Sequence, residues 1–176
     1  MKKFLIILLM VFTTQFSFGA ASDWGYPQYL WIVGLAINDY GTGTDLGRSL
    51  QHRDWFMDHM ISYVKDKGYP FTVTDKARIN NSAATKSAIK SYNNSEIIWF
   101  SGHGEGGGGG PVLYDGTLNP SEKAYGGYTK WVFYDACQTI RKSPDYIIPA
   151  FGGVHAIFGN ASNGWQFKKC HWDWSS

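Results

Sequence analysis

The chain has 176 residues, of which 44% are hydrophobic and 17% charged. That balance supports one packed core and excludes a mainly disordered chain. With 16 basic and 14 acidic residues the formal net charge is +2, which excludes the strongly basic footprint of a nucleic-acid binder.

At the amino end, Lys2 and Lys3 precede an apolar stretch from Phe4 to Phe12, and small residues follow at Gly19, Ala20 and Ala21. This pattern predicts a signal peptide over 1–21 and an exported product, secreted or periplasmic. The apolar stretch is too short to span a bilayer, and Thr13, Thr14 and Gln15 interrupt it, so no stable membrane anchor is expected after cleavage. Without Lys2 and Lys3, basic and acidic side chains balance. The remainder, 22–176, reads as one domain.

Tyr29 to Ile37 is a continuous apolar run with β-branched and aromatic residues, which predicts a buried strand. Asn38 to Gly43 is rich in turn residues. From Leu46 to Val64, apolar residues at Leu46, Leu50, Met57, Met60, Ile61 and Val64 recur at helical spacing. Thr44 or Asp45 is the expected cap, and Gly68 the expected stop. A short strand is predicted over Phe71 to Thr74. A helix is predicted over Ala83 to Tyr92, capped from Asn80, Asn81 or Ser82. Three more apolar runs, Ile97 to Phe100, Trp131 to Tyr134 and Val154 to Phe158, read as short buried strands. Alternation of strands and helices predicts an α/β fold with a mostly parallel sheet and helices on both faces. In such sheets, chemistry gathers at the carboxyl ends of the strands.

Two of those ends carry reactive residues. Ile97 to Phe100 runs into Ser101-Gly102-His103-Gly104-Glu105, and Trp131 to Tyr134 runs into Asp135-Ala136-Cys137. On parallel neighbouring strands, His103 and Cys137 would emerge at one edge, where a thiol and an imidazole can form a reactive ion pair. The glycines after His103 let a backbone approach closely and offer N–H groups to an oxyanion. The competing reading is structural: a hydrogen-bonding His, and a buried Cys or one bridged to Cys170, the other cysteine of an exported chain.

Other patterns point away from chemistry. His52 and His59 fall about two helical turns apart, too far to share a metal, which favours solvated or packing roles. Asn160-Ala161-Ser162-Asn163-Gly164 lacks the first glycine of a hydrolase nucleophile elbow. Gly106 to Gly110 is not followed by the Lys of a phosphate-binding loop and reads as a flexible loop. No metal site and no cofactor are predicted. Trp24, Tyr26, Trp31, Trp165, Trp172 and Trp174 are expected to pack at the ends of the sheet, or to be surface left bare by a lost carboxyl-terminal element, rather than to stack on sugars or bind a partner. Asn80, Asn93 and Asn160 each begin an Asn-x-Ser triplet.

An apolar strand ending in Ser-Gly-His-Gly, followed by one ending in Asp-Ala-Cys, resembles the caspase, gingipain, clostripain, legumain and metacaspase group of cysteine peptidases. The segment Gly153-Val154-His155-Ala156-Ile157-Phe158-Gly159 is similar to their strand after the nucleophile. The resemblance covers Tyr29 to Asn163. It implies a caspase-like three-layer α/β/α sandwich, here shortened at the carboxyl end. It implies Cys137 as nucleophile, His103 as general acid, and the backbone N–H groups of Gly104 and Cys137 as the oxyanion hole. Asp135, with Asp39 as a rougher counterpart, would favour Arg or Lys at P1, the substrate side chain before the cleaved bond. For Asp135 a purely structural acceptor role competes evenly, and for Asp39 a turn role is favoured. The resemblance departs at Gln138-Thr139, where active members carry a small residue or Gly shortly after the Cys. The expected activity is that of an exported cysteine endopeptidase without cofactor, acting on peptides or proteins. The alternative is an inactive peptide- or protein-binding module with a Cys137–Cys170 disulfide. An open sheet edge could support a homodimer.

Overall fold

The computed structural model describes residues 28–106, 110–122, 125, 128–139 and 156–159. The expected signal peptide, Cys170 with its expected bridge, His155 and the tail after Asn160 lie outside them. So do 107–109, within the glycine run.

The central sheet has five parallel strands in the order β2-β1-β3-β6-β7. These are β1 (Tyr29–Ala36), β2 (Thr72–Asn80), β3 (Ile97–Ser101), β6 (Trp131–Asp135) and β7 (Ala156–Phe158). The helices are α1 (Ser49–Asp66) and the short α2 (Lys86–Ser91). A small antiparallel hairpin, β4 (Val112–Leu113) with β5 (Gly116–Thr117), stands beside the sheet. The expected α/β class with a parallel sheet is therefore observed.

Successive strand residues face opposite sides, so the apolar runs feed two cores at once. On one side Leu30, Ile32 and Ile97 pack with Met57 and Val64 of α1. On the other, Val33, Leu35, Ile98, Phe100, Val132 and Tyr134 pack with Ala84 and with Ile89 of α2. Phe100 and Ile98 are fully buried, and each such side chain stabilises the fold by roughly 1.5–3 kcal/mol. Gly34 lets α1 sit on bare strand backbone: a Cβ there would lie 2.3 Å from Met57 Sδ and 2.6 Å from Arg53 Cγ. Arg53, only 3% exposed, reaches past β1 to donate to the Ile79 carbonyl over 3.1 Å.

Three boundaries differ from expectation. β2 continues from Thr74 through Asp75, Lys76 and Arg78 to Asn80. It is an edge strand, and edges carry charges that discourage further pairing. Here Arg78 bonds Asp75 over 2.6 Å, Asp54 over 3.1 Å and also Asp58. The first helix begins at Ser49 rather than Leu46, and neither Thr44 nor Asp45 caps it. Asn38, in the preceding loop, accepts from the Leu50 amide over 3.0 Å instead, while Asp45 accepts from the Tyr40 amide over 3.2 Å. Gly68 does end this helix, at φ +65°. α2 is capped by Thr85, whose hydroxyl accepts from the Ala88 amide over 3.1 Å. Asn81 instead holds a positive φ of 43° and accepts from the Asn38 amide over 2.9 Å and the Asp39 amide over 3.3 Å.

Candidate functional site

β3 and β6 are adjacent and in register, with Ile97 opposite Trp131 and Ser101 opposite Asp135. Both strands end at the same edge, so the loops bearing His103 and Cys137 leave side by side. The Gly102 amide adds one further bond to the Asp135 carbonyl, over 3.2 Å. At Gly104 the two loops touch: a Cβ there would lie 1.7 Å from the Cys137 carbonyl oxygen and 3.1 Å from its nitrogen. Only glycine permits this approach. His103 and Cys137 thus follow adjacent strand ends at one edge of the sheet.

The Gly104 segment pairs antiparallel with Pro111. Its bonds run from Glu105 N–H to the Gly110 carbonyl, over 3.0 Å, and from Val112 N–H to the His103 carbonyl, over 2.8 Å. The Gly104 N–H takes part in neither and has no acceptor among the described residues. A half-buried amide beside the Cys137 backbone, with no acceptor, is the group an oxyanion would use. Cys137 is itself half-buried. The next residue, Gln138, adopts φ +53°, a left-handed conformation that favours glycine. The departure from the family pattern noted in the sequence thus coincides with an uncommon backbone geometry.

His103 is fixed at two points. Its backbone N–H donates to the Tyr40 hydroxyl over 2.8 Å, and that hydroxyl donates to the Val112 carbonyl over 3.0 Å. Burial pushes the Tyr40 phenol up to about 12, against a smaller lowering by the His103 backbone bond, so it stays protonated and can serve both partners. The imidazole Nε2 lies 2.6 Å from the Thr44 carbonyl oxygen. A carbonyl can only accept, so Nε2 carries the hydrogen, and in the neutral ring Nδ1 is the acceptor. Gly102 makes room for this arrangement, since a Cβ there would meet the Tyr40 hydroxyl and the Phe100 ring, each at 2.6 Å.

Asp135 is held as well. Its Oδ2 accepts from the Ser101 hydroxyl over 2.8 Å and pairs with His52 Nδ1 over 2.9 Å. Oδ1 has no donor among the described residues, and the side chain is 32% exposed. The structural acceptor role and an open oxygen therefore coexist. His52 had been expected to be solvated or to pack. It is partly solvated, and the carboxylate adds a partner, raising its pKa chiefly through the hydrogen bond, against desolvation and the nearby Arg48 charge. His59 does pack, stacked on Trp55 with centroids 4.6 Å apart. Asp39 is not joined to Asp135 in any described contact. Its carboxylate accepts from the Gly41 amide over 2.7 Å, which is the turn role.

Sequence reasoning missed His52, Tyr40 and Ser101. Tyr40 and Ser101 adjoin singled-out residues, but only the fold reveals their partners. Among the described residues no group of three His, Cys, Asp or Glu side chains could hold a metal ion, and no helix is long and apolar enough to cross a membrane. No protein-family model matches the chain, and no curated protein matches it.

Proposed function

We propose that this chain is an exported, caspase-like cysteine endopeptidase that cleaves after Arg or Lys. The observation that carries the reading is the Gly104 N–H, without an acceptor among the described residues, against the Cys137 backbone, where the loop after β3 meets the loop after the neighbouring β6. Cys137 passes its proton to His103 Nδ1, and the thiolate sulfur bonds to the substrate carbonyl carbon. The carbonyl electron pair moves to oxygen, where the Gly104 and Cys137 amides receive it. Collapse breaks the C–N bond, and His103 returns the proton to the leaving amine. Water then adds to the acyl-thioester and releases the acid and the thiol. The open Oδ1 of Asp135 supports selection of a cationic P1 side chain.

The test is intact-mass spectrometry of the exported protein after treatment with an arginyl chloromethyl ketone, under reducing and non-reducing conditions. One adduct is expected, absent in Cys137→Ala and much slower in His103→Ala. No adduct under either condition would retire the peptidase and leave a peptide-binding module on the same sheet.

A further inference from the structure

His52 and Asp135 come from different elements: α1 supplies the imidazole and the end of β6 the carboxylate. They meet through Nδ1 and Oδ2 at 2.9 Å, with the Ser101 hydroxyl on the same oxygen at 2.8 Å. Both side chains are about one-third exposed, His52 at 36% and Asp135 at 32%, so the pair faces solvent. The Oδ1 oxygen has no donor among the described residues, but the carboxylate charge is shared with the imidazole. We propose that His52 is a specificity-determining residue for the Asp135 subsite: its imidazolium cancels the carboxylate charge that a basic side chain needs, and its neutral form restores it.

The inference rests on the reading of Asp135 as a cation subsite made under the proposed function. The charged groups facing His52 are Asp135 from β6 and Arg48 just before α1; from β3 comes the neutral Ser101 hydroxyl. With His52 protonated, the His52–Asp135 pair is neutral and the imidazolium repels a guanidinium. With His52 neutral, Nδ1–H still orients the carboxylate while the full negative charge faces the ligand. The hydrogen bond to Asp135 holds the imidazole pKa above its usual value, so this exchange reaches into the neutral range. A basic side chain is therefore taken weakly in acid and firmly once His52 has lost its proton.

The experiment measures binding of Nα-acetyl-L-arginine amide to the full chain carrying Cys137→Ala, from about pH 5 to about pH 8. The uncharged citrulline analogue is the control. The Kd is expected to weaken by up to about tenfold for each pH unit below the His52 pKa. Citrulline binding should not change with pH. His52→Asn keeps a donor at the place of Nδ1 without titrating, and should abolish the pH dependence. Without that variant, the His52 ring proton can be followed by NMR, and saturating arginine amide must lower its pKa, because the coupling is reciprocal. A pH-independent Kd, the same pH slope in His52→Asn, an unmoved His52 pKa, or no binding at any pH would each overturn the proposal. Chloromethyl ketone labelling reports separately. Labelling with a flat Kd keeps the peptidase and rejects the His52 role. Gated arginine binding without labelling does the reverse.

Discussion

Gly104 and Cys137 are in backbone contact: the position a Cβ would take on residue 104 is 1.7 Å from the Cys137 carbonyl oxygen. No rotamer change relieves that overlap, because both atoms belong to the main chain. Gly104→Ala must push the His103 and Cys137 loops apart. A cost of about 1–3 kcal/mol is expected, which lowers Tm by about 2–4 °C per kcal/mol in a chain of this size. Loss of chloromethyl ketone labelling should exceed the loss of stability. Thermal melts and labelling rates, measured on one preparation, check both.

Tyr40→Phe removes the hydroxyl that joins the His103 amide to the Val112 carbonyl. Two main-chain groups then lose a partner, for a cost of about 1–3 kcal/mol. His103 retains its Thr44 contact, so the hydrolysis proposed above should fall without vanishing. Steady-state kinetics on an arginyl peptide, alongside a Tm, would separate a loosened loop from an unfolded chain.

The strands of this fold were legible because they are apolar throughout: β1, β3 and β6 are sandwiched between two cores, so their sequences need no alternation to be recognised. The second half of β2 was not, because Asp75, Lys76 and Arg78 belong to an edge whose ion pairs come from α1 and from β2 itself. The helix caps were misplaced for a related reason. Asn38 serves α1 from the far end of the loop that leads into it, outside the local window in which caps are sought. At the candidate site, the adjacency of the His103 and Cys137 loops could be read from matching strand ends. His52 could not, since its partner Asp135 is 83 residues away and only the crossing of α1 over the sheet unites them.

The His52–Asp135 pair also predicts a pH signature in stability. The His52 pKa is raised on folding, so the contribution of the pair is complete below the unfolded value of about 6.5 and is lost as pH rises through the higher folded value. The stability difference between wild type and His52→Asn should therefore shrink on going from mildly acidic to mildly alkaline solution. Urea melts at a series of pH values measure it. A difference that grew with pH would contradict the pairing.

Gln138 holds φ +53° directly after Cys137. Replacing it by Gly and by Ala removes the same side chain and leaves the backbone as the variable. Gln138→Gly should be more stable than Gln138→Ala by about 1 kcal/mol, since a left-handed conformation penalises any Cβ. Equal midpoints in denaturant would show that this turn relaxes at no cost.

The Gly102 amide bonds to the Asp135 carbonyl, extending the β3–β6 ladder one rung beyond the strands and binding the roots of the two loops together. Separating His103 from Cys137 thus begins with breaking a rung of the central ladder, among the last parts of a domain to open. Deuterium uptake at Gly102 would act as a clock for the site, slow while the loops stay zipped and quickening when they part.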